Sequence, residues 1–231
     1  MIMKNSYGLA SAEERIASFR IRLGAIALAV AGVLFVLYPA LRPFSDETSL
    51  LGAEAFGSAD WMTSHVMAIL AFVLLTFGFM SLNLSLQGTA ARRLAFYGLL
   101  LAWLGIGLTL PYYGAEVYGL SAIGQEAVSQ QNTDLMGLAD DIRFGPGFSM
   151  ILVGLVLLAI GAMVAAAAVW RSRLLSKWSA IPIAVGFLLY LPQYLATQPV
   201  RVAHGLLITV GCLWLAASMW QRSKPKAATS R

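Results

Sequence analysis

From residue 23 to residue 41 the chain carries no charged side chain, and the same holds for 61–91, 94–115, 144–170, 178–200 and 202–221. Each run reaches about the 17–25 residues that a helix needs to cross a hydrocarbon core of roughly 30 Å. Only 12% of the 231 residues are charged and 59% are hydrophobic, against about 25% and about 45–50% in a soluble domain. A water-soluble fold of this composition could not cover its own apolar surface. Soluble enzymes and soluble nucleic-acid-binding domains are therefore excluded.

Backbone N–H and C=O groups that face lipid have no water to pair with, so each spanning segment must satisfy them internally. The runs predict an all-α integral membrane protein, a bundle of six transmembrane helices at about 23–41, 61–83, 94–115, 144–170, 178–197 and 201–221. Together they form a single membrane domain, 23–221. An interfacial segment, 1–22, precedes it and a basic tail, 222–231, follows. Outer loops are expected at 42–60 and 116–143. Ser11-Ala-Glu-Glu fits a capping box with Ser11 as N-cap, and Asp60 is expected to cap the second span.

Basic residues give the orientation. With the N-terminus inside, 13 of the 16 Lys and Arg residues lie on the inner side, and only Arg42, Arg143 and Arg201 lie outside. Nine of the 11 acids fall on the outer side. This positive-inside bias places both termini in the cytoplasm, and the inner charge suits an anionic inner leaflet. The net charge of +5 is thus a marker of topology, and no nucleic-acid partner is needed to explain it. The general look is that of small multi-pass proteins of the bacterial plasma membrane, a resemblance that implies no activity. Cys212 is the only cysteine, so no intrachain disulfide forms.

Short matches suggest three helical hairpins. Prolines recur near the outer ends of the first, third and fifth spans, in Leu37-Tyr38-Pro39, Leu110-Pro111-Tyr112-Tyr113 and Leu191-Pro192-Gln193-Tyr194. Proline also gathers at helix ends simply because it costs least there. In the fourth span, Gly154, Gly161 and the alanines at 165–168 read as close helix packing.

Both histidines, His65 and His204, lie roughly 5–8 Å inside the outer ends of their spans at 1.5 Å rise per residue. An ionisable group at that depth is a functional-site hypothesis, although either one alone is as well explained by a bond to a nearby carbonyl. Glu116, Asp140, Asp141, Arg143 and Arg201 gather at the same end, with Tyr112, Tyr113, Gln193 and Tyr194. These residues predict an outward-facing polar pocket that binds a cofactor or ligand. In a metal version, His65, His204 and a carboxylate, Glu116 or Asp140, would hold a divalent ion such as zinc. In a haem b version, the two histidines would be axial ligands, with Arg143 or Arg201 on a propionate.

Two alternatives stand beside this. One is a small-molecule carrier acting as a homodimer, against which counts the absence of any acid, base or histidine deep in the spans. The other is a non-catalytic accessory protein whose polar outer loops dock a protein partner. Enzyme and binding protein remain equally open. Walker, zinc-protease, serine-hydrolase and c-type haem motifs are absent from the sequence.

Overall fold

The computed structural model describes residues 2–223, with side chains from residue 13 onward. The part of the expected basic tail beyond Ser223 lies outside the described residues. Within them the chain is all-helical, with nine α-helices: α1 (Ile2–Leu41), α2 (Leu50–Gly57), α3 (Ala59–Ser85), α4 (Arg92–Gly114), α5 (Leu120–Gln130), α6 (Gly137–Phe144), α7 (Pro146–Ser172), α8 (Ile181–Leu188) and α9 (Gln198–Arg222). Five helical stretches are long and apolar enough to cross a membrane: Glu13–Leu41, Ala59–Ser85, Arg92–Gln130, Pro146–Ser172 and Gln198–Arg222.

Neighbours in the bundle follow chain order. Helix α1 packs on α3, α3 on α4, α4 on α7, α7 on α8 and α8 on α9, and α9 closes the ring against α1. The three expected hairpin pairs are all adjacent, but the contact of α1 with α9 joins them into one bundle. A single apolar core that includes Phe35, Phe72, Leu75, Ile106, Leu155 and Phe187 fills it. The α4–α7 contact is close: a Cβ on Gly105 would lie 2.5 Å from Gly154 O and Leu158 N, and one on Gly161 would lie 2.6 Å from Ala102 N. Only glycine lets the two backbones approach this closely, the role expected of Gly154 and Gly161.

Four sequence expectations need correction. Helix α1 has no break at residue 22 and runs through Ser11, because the 15–22 stretch of arginine and apolar residues propagates a helix as readily as it lies on an interface. Asp60 does not cap α3. Ser58 does, its Oγ accepting from Trp61 N at 3.1 Å, and Asp60 sits in the first turn. The outer loops are largely helical. Helix α4 continues through a π-helical stretch, Ala115–Gly119, directly into α5, and Ser49 caps α2 within 42–60.

The fourth correction concerns 178–197, which is not one helix. Regular α structure covers only α8, followed by turns and a 3-10 stretch, Pro192–Leu195. Pro192 has no N–H to donate to the carbonyl four residues back, which weakens the helix there, although α1 and α4 run on through Pro39 and Pro111. The segment still travels the length of α9. At one end Ser176 N donates to Ser218 Oγ at 2.9 Å, and at the other Arg201 Nη2 donates to Tyr194 O at 2.5 Å.

Candidate functional site

The short helices α2, α5 and α6 form a small cap at one end of the bundle. Ala53, Phe56, Trp61, Leu120, Ala127, Met136 and Ala139 make a second apolar core, separate from that of the bundle. Gly124 of α5 lies against α2 so closely that a Cβ there would meet Ala53 O at 2.5 Å.

Where cap and bundle meet, five ionisable side chains form a chain. The His65 ring is 1% exposed. Its Nδ1 lies 2.8 Å from Trp61 O, and because a carbonyl only accepts, Nδ1 carries the proton. Its Nε2 faces Glu116 Oε2 at 3.8 Å, beyond hydrogen-bond reach. Glu116 accepts twice from Arg143, from Nε at 2.8 Å and Nη2 at 3.3 Å. The third nitrogen, Arg143 Nη1, reaches Glu47 Oε2 at 2.5 Å, and Glu47 Oε1 accepts from Arg42 Nη2 at 2.7 Å.

Residues distant in sequence are thereby tied together: Arg42 at the end of α1, Glu47 in the loop, His65 in α3, Glu116 in the π-helical stretch and Arg143 in α6. A π turn is rare and often marks a functional position. Here it brings Glu116 to Arg143, while the Glu116 carbonyl accepts from Trp61 Nε1 at 2.9 Å. Burial draws the Arg143 guanidinium down, but Glu116 and Glu47 outweigh it and hold its pKa above the ordinary value. Burial likewise pulls the Glu47 carboxyl up, and Arg143 and Arg42 more than reverse this, leaving it below the usual carboxylate range.

Aromatic rings line the bundle side. Tyr38 meets His65 edge-on at 5.2 Å and Tyr113 at 5.9 Å. The Tyr113 hydroxyl lies 2.9 Å from those of Tyr190 and Tyr194, and Tyr190 meets His204 at 5.4 Å. His204 Nε2 donates to Gly186 O at 2.7 Å. Tyrosine rings thus stand between the two histidines, which make no ring contact with each other.

Beside His204 is a narrow crevice among α1, the 190–194 turn and α9, lined in part by Tyr38, Arg42, Phe44, Gln193, Tyr194 and Arg201. Its free space is about 10 Å³, room for roughly one water. Two guanidiniums lie over the Phe44 ring, Arg42 at 4.7 Å and Arg201 at 5.3 Å from its centre. Arg42 has Glu47 as a partner, whereas Arg201 donates only to the carbonyls of Ala196 and Tyr194. A second, wider crevice of about 410 Å³ on the cap is lined by Asp46, Glu47, Asp134, Asp140 and Arg143, among others.

The residues singled out from the sequence therefore divide. Glu116, Arg143 and His65 do come together. Tyr113, Tyr194, Gln193, Arg201 and His204 gather one step away, and half-buried Tyr112 packs against the main core. Asp140 is exposed on the cap and belongs to neither group. Among the described residues no three His, Cys, Asp or Glu side chains are placed to hold a metal, so the set His65, His204, Glu116 and Asp140 is not assembled. Asp140 and Asp141 do not pair with Arg143, because Glu116 and Glu47 already occupy it. Sequence reasoning missed Arg42, Glu47, Tyr38 and Trp61 as site residues, and no local pattern marks them.

The fold and site together define a helical bundle of membrane-protein character, capped at one end over a buried ionic chain. Comparison with protein-family models, with curated proteins and with solved structures finds no match.

Proposed function

We propose that this chain is a six-pass protein of a bacterial plasma membrane, with its termini in the cytoplasm, whose outer end binds a small anionic group. The positive-inside bias supports the orientation. The course of 176–197 beside α9 supports counting that broken segment as a sixth crossing. One observation carries the functional reading: Arg201 shares Phe44 with Arg42 yet has only carbonyl acceptors. Of the three outer arginines, Arg42 and Arg143 pair with the two carboxylates Glu47 and Glu116 and Arg201 pairs with neither, so a positive charge is left at the crevice. Guanidinium presents planar paired donors that suit a carboxylate or phosphate, and Gln193, Tyr194 and His204 line the same space.

This reading keeps His204, Arg201, Gln193 and Tyr194 in the pocket and gives His65, Glu116 and Arg143 the task of holding the cap over it. A metal or haem has weaker support, since the donor groups are dispersed. Binding is tested on purified protein in mild detergent by thermal unfolding against phosphate, sulfate and acetate. A saturable rise in midpoint, with affinity at least tenfold lower in Arg201→Gln, is expected. No saturable response to any oxyanion would sink the proposal.

A further inference from the structure

We infer that the anion taken by Arg42 and Arg201 is the phosphate of an anionic phospholipid in the outer leaflet, an inference that rests on the anion site proposed above. Depth is the first reason. The rise along α9 from Arg201 to Trp220 is roughly 28 Å, close to the roughly 30 Å thickness of a hydrocarbon core. Trp220 carries Arg22 over its ring at 5.4 Å, and Trp170 packs on Trp178 with Lys177 beside both. Such Trp and basic clusters mark a membrane interface. With that cluster at the inner interface, Arg201 stands at the level of the outer headgroup phosphates.

Room is the second reason. The crevice admits about one water's volume, so an oxygen or two of a ligand can enter while the rest stays outside. Apolar side chains stand outside at the same end: Leu195 is 94% exposed, Val200 53% and Leu189 43%. A free oxyanion has no use for that flank. A lipid can lay its acyl chains along it. Charge is the third reason. Among the described residues Arg201 has no carboxylate partner, which favours a net anionic headgroup over a zwitterionic one.

The test compares thermal midpoints of the full-length protein in mild detergent with added inorganic phosphate, short-chain phosphatidylglycerol and short-chain phosphatidylcholine. Phosphatidylglycerol should raise the midpoint saturably at a concentration at least tenfold below that needed for phosphate or phosphatidylcholine. Arg201→Gln should abolish the difference, and Lys177→Gln, at the opposite end, should leave it unchanged. Because Arg201 also bonds Ala196 and Tyr194, Arg201→Lys serves as the variant that keeps the charge. It should retain partial selectivity, since an ammonium lacks the paired donors. Phosphate acting as well as phosphatidylglycerol would overturn the lipid inference and leave the anion site standing. Equal response to the two lipids would also overturn it, as would selectivity that survives Arg201→Gln. No response to any of the three would remove both readings.

Discussion

Glu116 stands between a guanidinium that donates to both its oxygens and an imidazole 3.8 Å away. With Glu116 11% and Arg143 14% exposed at the side chain, removing Arg143 strands the Glu116 charge away from water, whereas removing Glu116 leaves Arg143 still paired with Glu47. Breaking a buried pair in this way costs about 3–5 kcal/mol, whereas replacing both members by apolar groups is often close to neutral. Arg143→Ala should therefore lose about that much in denaturant unfolding, and Glu116→Leu with Arg143→Met should lose markedly less. A single-variant loss below about 1 kcal/mol would show that the pair does not hold the cap. Glu47 makes a prediction about pH. Its folded-state pKa is lowered, so its contribution to stability is complete above the ordinary glutamate value of about 4.3. That contribution disappears as pH falls through the lower folded value. The thermal midpoint should fall over this acid range, and the fall should be shallower in Glu47→Gln. Identical slopes for both proteins would contradict the assignment.

At the scale of elements, a demanding contact is that of α4 with α7. Gly105 and Gly154 meet backbone to backbone, with Thr109 Oγ1 2.7 Å from where a Gly154 Cβ would stand. Neither neighbour is the movable end of a long side chain, so the helices themselves must separate. Overpacking of this kind costs typically about 1–3 kcal/mol. Gly105→Leu should lower the unfolding midpoint by that order, whereas Gly107→Ala, where a Cβ meets nothing within 4 Å, should leave it within about 0.5 kcal/mol. Equal effects at the two positions would argue against close helix approach. The π-helical stretch shows why element boundaries were harder to read than elements. Pro111-Tyr112-Tyr113-Gly114 looks like the end of a span, but Ala115 and the residues after it are free to stay helical. The cap core around Phe56 and Trp61 then stabilises the continuation.

For the whole molecule, the decisive question is where 176–197 runs. The only cysteine, Cys212, is buried, so Cys212→Ala provides a background for accessibility mapping. A cysteine placed at Leu195 should react with a membrane-impermeant thiol reagent added outside intact cells, and one placed at Ser176 only after permeabilisation. Labelling of both from the same side would remove the sixth crossing and place the C-terminus outside.

Much of this was legible from the placement of charge. Runs without charge located the segments, because an unpaired charge or backbone group in lipid costs several kcal/mol. That rule depends on composition and order alone, and five of the stretches match long apolar helices. The glycines of α7 were legible for a similar reason, since small residues at helical spacing have one use in a packed bundle. His65, Glu116 and Arg143 were legible as unusual residues at one depth. Their pairing was not, and neither was the part played by Arg42 and Glu47. The link from Arg42 through Glu47 to Arg143 spans three elements, and its partners are set by a cap whose helices carry no strong apolar run. The sequence by itself determined which segments avoid water and which charged residues gather between them, because solvation acts on each residue separately. Only the tertiary structure decided which charges neutralise one another and that Arg201 is left over, because pairing depends on distances of a few Å between residues far apart in the chain.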